Sequence, residues 1–331
     1  MHPLSQKVKR NIEPHQSLLK GATAIIGVSG GPDSTALTCI LGDLQYEFGL
    51  HLRIAHYNHH LHRGANADQK CVEDLAKHLN LPLSVGHWKN PGSLKKGSLE
   101  DAARNRRMQF FKRIAQKNKA RTVILAHTQN DLSETVLMRI LRGTGLQGLQ
   151  SILPVRKIQD IILFRPLLNV KKKEILAFLE DKKIPYRIDP TNTQTKFFRN
   201  KVRLELLPLL AKEYNPNITH ILTNLANNVV TDYAYLEEQT NKLFSRHTKY
   251  SKNRQSLHID KKALTRQHPS LQRMLIRRGI EHVQGNLKRL TLTHLHEIED
   301  LLANRPNASI VHLPKNITIQ KTPKYLTLTK N

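Results

Sequence analysis

Ser29-Gly30-Gly31-Pro32-Asp33-Ser34 is the stretch whose reading decides this chain. Ahead of it, Ala24-Ile25-Ile26-Gly27-Val28 is a short apolar run of the kind that forms a buried parallel strand. Behind it, Thr35-Ala36-Leu37-Thr38-Cys39-Ile40-Leu41 predicts a helix with its apolar face on a sheet. A glycine-rich turn thus joins a strand to a helix N-terminus. Adjacent glycines open backbone angles closed to other residues and leave room for close approach. The free N–H groups of the first helical turn, with the positive end of the helix dipole, make a phosphate site. Ser29 and Ser34 add hydroxyl donors, and Asp33 is placed either to cap the helix or to hold Mg²⁺ on the phosphates.

The turn lacks the Gly-Lys-Ser/Thr of a Walker A loop and the third glycine of the dinucleotide fingerprint. For a bare Gly-Gly pair, an ordinary capped βα turn would be the better reading. Ser-Gly-Gly-x-Asp-Ser between strand and helix instead resembles the pyrophosphate-binding loop of the N-type ATP pyrophosphatases. That resemblance implies ATP as the nucleotide.

Outward from the loop, strand and helix patterns alternate. His51–Tyr57 predicts a second strand, followed by a histidine-rich loop (Asn58–Gly64) and a helix over about Ala67–Leu79. Leu81–Val85 is a third strand. Ser98-Leu99-Glu100-Asp101 opens a helix with a cap and early acids, and Thr122–Ala126 is a fourth strand turning through His127–Asp131 into a helix that ends near Leu141. This alternation predicts an α/β fold, a doubly wound parallel sheet with ligands at the carboxyl ends of its strands. Residues 145–170 read as looser chain, followed by helices over Lys171–Lys183 and Phe197–Leu210. After Pro216 a long helix runs to about Phe244, then come helices at Pro269–Arg278 and Leu292–Ala303 and strands at Ile317–Ile319 and Tyr325–Leu328. The expected organisation is a catalytic domain over 1–216, a linker helix over 217–246 and a smaller C-terminal α+β domain over 247–331.

Of 331 residues, 53 are Lys or Arg and 26 are Asp or Glu, a formal net charge of +27. The excess runs through both halves of the chain, so a polyanion is the expected partner and nucleic acid the leading candidate. The two cysteines, Cys39 and Cys71, provide neither a disulfide framework nor a Cys-x-x-Cys site. No segment approaches the roughly 20 apolar residues of a membrane span, and no signal-peptide pattern opens the chain, so a soluble, cytoplasmic protein is expected.

The remaining constellations are polar clusters at the predicted strand ends. They comprise His127-Thr128-Gln129-Asn130-Asp131-Leu132-Ser133-Glu134-Thr135, Glu100-Asp101-Ala102-Ala103-Arg104 and Arg142–Leu149. Further along stand Arg165-Pro166-Leu167-Leu168, Asp189-Pro190-Thr191-Asn192 and Arg199-Asn200-Lys201-Val202-Arg203. With the loop at 29–34 they resemble, over essentially the whole chain, the motifs of the tRNA(Ile)-lysidine synthetases, a PP-loop family of adenine nucleotide alpha hydrolase-like fold. Three positions depart from the family pattern. Asn130 stands for an aspartate, Leu132 for a glutamine and His62 for an arginine. The chain also ends soon after Leu313–Ile319, which reads as a short form without a second C-terminal domain.

The resemblance implies adenylation of the 2-carbonyl oxygen of the wobble cytidine in a tRNA(Ile) with anticodon CAU. Free L-lysine then displaces AMP to give lysidine, with ATP and Mg²⁺ consumed or required. On that basis Ser29, Gly30, Gly31, Pro32, Asp33 and Ser34, with Asn58 and His59, are assigned to ATP, and Asp33 to Mg²⁺. Asp131 and Glu134 are assigned to lysine and the acid–base step, and Arg104 and Arg199 to charge on the phosphates or the activated base. Arg203 and Lys171, Lys172 and Lys173 are tRNA candidates, and a homodimer is left open.

Each assignment has a plainer rival. Asp131 and Glu134 could simply complement a helix dipole. Arg104 and the lysine run could be solvated faces, and the histidines near 51–62 lack any metal-binding spacing. Two other enzyme classes compete with this reading. Thiolation of tRNA requires a cysteine set the chain lacks, and amide formation requires an ammonia-producing partner. A non-catalytic RNA-binding module is opposed by the intact loop with Asp131, Glu134 and Arg104.

Overall fold

The computed structural model describes residues 1–88, 99–188, 195, 197–251 and 256–330, the side chain of Glu100 excepted. Two compact units divide it, residues 1–229 and 230–331. The division falls inside the helix that the sequence marks as a linker.

The first unit begins with α1 (Pro3–Ile12), capped by His2. Then β1 (Thr23–Gly27), α2 (Pro32–Phe48), β2 (His51–Asn58), α3 (Ala65–His78), β3 (Leu83–His87), α4 (Leu99–Lys117), β4 (Thr122–Leu125) and α5 (Gln129–Leu141) alternate as predicted. The short α6 (Leu146–Leu149) leads into β5 (Val155–Ile158) and β6 (Ile161–Phe164), a hairpin in the region expected to be loose. After α7 (Lys172–Asp181) come α8 (Phe198–Lys201), a π-helical turn over Val202–Leu206, α9 (Leu207–Glu213) and α10 (Ile218–His247). The single helix predicted for 197–210 is therefore three segments. A π turn carries one extra residue per turn, which rotates the side chains that follow it.

The six strands form one sheet in the order β3-β2-β1-β4-β6-β5, parallel except for the β5–β6 edge pair. The chain winds outward from β1 to β3 and then returns to the other side of β1 with β4. That reversal is the topological switch point of a doubly wound sheet, where the loops after β1 and β4 part and leave a crevice. Two layers of apolar side chains cover the sheet. Ile26, Ile54, Ile124, Leu37, Ile40, Leu41 and Phe178 pack on the face carrying α2 and α7, and Ile25, Val123, Phe110, Phe111 and Leu163 on the face carrying α4.

In the second unit, β7 (Thr248–Tyr250), β8 (Ser256–Asp260), α11 (Lys261–Thr265), α12 (Pro269–Gln284), α13 (Leu292–Ala303), β9 (Ile310–Leu313), β10 (Ile317–Lys321) and β11 (Tyr325–Lys330) follow in order. The strands make an antiparallel sheet, β7-β8-β11-β10-β9, whose inward residues alternate along Leu257, Ile259, Leu326 and Leu328. They meet Leu275, Ile276 and Ile280 of α12 and Leu295, Ile298 and Leu301 of α13. No helix among the described residues is long and apolar enough to cross a membrane.

Candidate active site

The loop after β1 is held by its own serines. The Ser29 N–H donates to Ser34 Oγ at 3.1 Å, and Ser34 Oγ donates to the Gly31 carbonyl at 3.1 Å. Ser34 is only 3% exposed. Its hydroxyl thus shapes the turn from within rather than standing free as a phosphate donor. Gly30 has φ of +89°, and a Cβ there would lie 3.1 Å from the Asp68 carbonyl oxygen. Gly31 takes φ of −77° as the N-cap of α2, an angle open to any residue. Of the two glycines, only Gly30 is required by conformation.

Helix α2 has no side-chain cap, and Pro32 at its start contributes no N–H. Asp33 is therefore not spent on capping. Its carboxylate takes an ion pair from Lys172 Nζ at 2.6 Å. Burial raises the Asp33 carboxyl above its ordinary value, Lys172 opposes that rise, and the nearby charge of Asp131 adds to it.

Lys172 is the unexpected member of the site. Lys171 and Lys173 are exposed, as a solvated run would be, but Lys172 turns inward at the start of α7. Its backbone N–H also donates to Asn130 Oδ1 at 3.2 Å, which ties α7 to α5. Arg187 is a residue the sequence did not mark. Its backbone N–H reaches the Gly30 carbonyl at 3.0 Å, and its Nε pairs with Asp68 at 2.8 Å. It straps the 184–188 segment to the glycine turn.

After β4, Thr128 and Asp131 form a capping box on α5. The Thr128 N–H donates to Asp131 Oδ2 at 2.9 Å, and the Asp131 N–H to Thr128 Oγ1 at 3.4 Å. Asp131 therefore does cap the helix, with one oxygen. Its other oxygen accepts from Arg199 Nη2 at 2.9 Å and Arg203 Nη2 at 3.4 Å. Glu134, one turn along and 2% exposed in its side chain, takes Arg199 Nε at 2.9 Å and Arg203 Nε at 2.5 Å. Arg199 and Arg203 stand four residues apart across the junction of α8 and the π turn, so both forks reach the same two carboxylates. Burial works to raise the Asp131 carboxyl. Arg199, the Thr128 N–H and Arg203 outweigh it and hold the group below its ordinary value.

His127 lies beside this cluster. Burial drives its imidazole down to about 3 against the pull of Asp131, so it is neutral at ordinary pH. His59 is pushed down to about 4 by burial and by Arg107, and it packs edge-on to Tyr57 and Trp88.

Asn58 is 2% exposed, and its amide is engaged with Ala65, Asn66, Gln69 and the His60 N–H. It builds the loop between β2 and α3. Arg104 is exposed and, among the described residues, in no ion pair. Its charge instead lowers Arg107 and Arg165, after burial, which takes Arg165 down to about 10. An unpaired guanidinium among others is an anion-seeking arrangement.

The three departures from the family pattern each have a local partner. Asn130 anchors Lys172, Leu132 is 2% exposed among Val136, Leu168 and Val202, and His62 pairs with Asp68 at 3.2 Å. Asp189–Asn192 and the Glu100 side chain lie outside the described residues.

A parallel sheet with a glycine turn at its switch point and a carboxylate pair across the crevice defines a PP-loop domain, and the PP-loop domain family matches residues 2–210. Similarity extends further. Over 329 residues the chain is 34% identical to the tRNA(Ile)-lysidine synthase of Caldanaerobacter subterraneus subsp. tengcongensis, covering 98% of this chain and 69% of that protein. It is 32% identical to that of Clostridioides difficile, covering 98% and 70%. The chain belongs to the tRNA(Ile)-lysidine synthase family. Among solved structures, the U34-tRNA thiolase NcsA from Methanococcus maripaludis shares the fold, with a TM-score of 0.57 at 16% identity over 69% of this chain and 77% of that one.

Proposed function

We propose that this protein joins free lysine to carbon 2 of the wobble cytidine in a tRNA(Ile) bearing the anticodon CAU, at the expense of ATP. The observation that carries the reading is the pair Asp131 and Glu134, held at the carboxyl end of β4 across the switch-point crevice from the glycine turn. One side of such a crevice suits a polyphosphate and the other suits a cation.

The β- and γ-phosphates of ATP lie on the glycine turn and the free N–H groups of the first turn of α2, where the helix dipole favours anions. Asp33 fits a cation, since its carboxylate already holds the ammonium of Lys172 and is half-buried beside the turn. Asp33 would hold Mg²⁺, with phosphate oxygens and water completing its shell, and the ion would neutralise charge on the departing pyrophosphate. The cytidine carbonyl oxygen attacks the α-phosphorus and pyrophosphate leaves. The base is now joined to AMP, a far better leaving group than oxide. The ε-amine of lysine then bonds to carbon 2, and the carbon–oxygen bond to AMP breaks. The amine starts as an ammonium with a reference pKa of about 10.4, so a proton must be lost. Asp131 and Glu134 hold the cation and accept that proton. Arg199 and Arg104 offset negative charge on the phosphates as the bonds change. His59 lines the mouth in its neutral form, Arg203 is the second guanidinium on the two carboxylates within reach of an RNA phosphate, and Lys171 and Lys173 face the RNA backbone.

Thiolation of the same nucleotide class is not favoured by the site. Cys39 is buried in the core of the sheet with its thiol pushed up to about 12, which suits neither a nucleophile nor a cluster ligand. The test is incorporation of labelled lysine into a tRNA(Ile) transcript with anticodon CAU, using ATP and Mg²⁺, against a tRNA(Met) of the same anticodon. Lysine entering only the isoleucine tRNA, with AMP and pyrophosphate released, is expected. Adenylated tRNA that takes up no lysine would overturn the assignment of Asp131 and Glu134 while leaving the loop reading intact.

A further inference from the structure

The carboxylates assigned above to the lysine ammonium already hold two cations of the protein's own. Arg203 places Nε on Glu134 Oε1 at 2.5 Å and Nη2 on Glu134 Oε2 at 3.0 Å, a two-pronged grip. Arg199 bridges Glu134 and Asp131 at 2.9 Å each. Glu134 has both oxygens taken and is almost without solvent access. A lysine ammonium cannot enter such a site by addition. It has to displace a guanidinium, and the displaced fork needs another anion. Because Glu134 is buried, leaving it unpaired at any moment is costly, so the exchange must be concerted.

Resting on the reading given above, we propose that Arg203 is a positioning residue that makes lysine binding conditional on a phosphate. Arg203 occupies the lysine site until a phosphate of the nucleotide or of the RNA draws its fork away. The choice of Arg203 over Arg199 rests on exposure and grip. Its side chain is the more exposed of the two, and its contact with Asp131 is the longer, 3.4 Å against 2.9 Å for Arg199. It also senses Asp33, so it already lies within electrostatic reach of the phosphate side of the crevice. Free lysine is thereby kept out of the site until that phosphate is bound.

The experiment is equilibrium dialysis of labelled L-lysine against the full chain. The arms are protein alone, protein with a non-hydrolysable ATP analogue and Mg²⁺, with the tRNA(Ile) transcript, and with both. The wild type is expected to hold lysine at least tenfold more tightly in the arm with both ligands than alone. The single-ligand arms identify whether the nucleotide or the RNA supplies the phosphate. Arg203→Gln is expected to bind lysine without either ligand and to lose most of the tenfold difference. Arg203→Lys, which keeps a cation on Glu134, is expected to restore the dependence. Equal lysine affinity in all arms for the wild type, or an unchanged dependence in Arg203→Gln, would overturn the proposal alone. Lysine binding in no arm would overturn the lysine assignment and the proposal with it.

Discussion

At the scale of single residues, the site separates backbone requirements from charge requirements. Gly30 has a positive φ and a carbonyl oxygen where its Cβ would be, whereas Gly31 has ordinary angles and ordinary neighbours. Gly30→Ala is expected to cost about 1–3 kcal/mol and Gly31→Ala much less, read from the urea midpoints of the two variants. Asp33 carries the opposite kind of tension. Its carboxyl is raised in the fold, so ionising it opposes folding. Its contribution to stability is present at low pH and is lost as pH rises through the raised value. Asp33→Asn is therefore expected to unfold at a higher urea concentration than the wild type at neutral pH while losing ATP turnover. A lower midpoint would mean that the Lys172 ion pair outweighs the burial. His59 titrates the other way. Its folded value of about 4 lies below the usual 6.5, so the stability it lends is complete above 6.5 and declines as pH falls toward 4. His59→Gln is expected to flatten the fall in stability over that window, measured by denaturation at closely spaced pH values.

Secondary-structure elements decide which of these residues meet. Helix α5 presents Asp131 and Glu134 because its capping box fixes where the first turn starts, and the π turn after α8 aims two arginines at them. Helix α7 is tied to α5 through the side chain of Asn130. Leu132, on the same helix, faces an apolar cluster with Val136, Leu168 and Val202. Leu132→Gln would restore the residue the family pattern carries, yet it would bury an amide among these side chains. The expected loss is about 1–3 kcal/mol, checked by thermal or urea unfolding, and an unchanged midpoint would mean that the amide finds a partner. The run Lys171–Lys173 shows why an element must be seen in place. Three adjacent lysines read as one solvated face, but the start of α7 points only the middle one into the crevice.

For the molecule as a whole, a net charge of +27 predicts that RNA affinity is strongly salt-dependent, with a log–log slope of about −0.7 to −0.9 for each phosphate neutralised. A filter-binding series in rising salt with the tRNA(Ile) transcript would measure it, and a slope near zero would remove the backbone contacts from the reading. Much of this protein is legible in its sequence. The apolar run before Ser29, the glycine turn and the alternating periodicities specify a doubly wound sheet, because strand and helix patterns are local and repeat at 2 and 3.6 residues. The family motifs also mark Asp33, Asp131, Glu134 and Arg199 from the sequence alone. The pairing of β5 with β6 was not legible, since two four-residue strands carry too little pattern to rise above loop. Nor were the internal uses of Ser34 and Asn58, the inward turn of Lys172 or the strap at Arg187. Each of these depends on groups from distant parts of the chain meeting in space: Asp33 and Lys172 are 139 residues apart, and Glu134 and Arg203 are 69. Sequence determines which charges the site contains, because residue type and local period are written along the chain. Only the tertiary structure decides which charge neutralises which, because that depends on distance and burial, and neither is a local property.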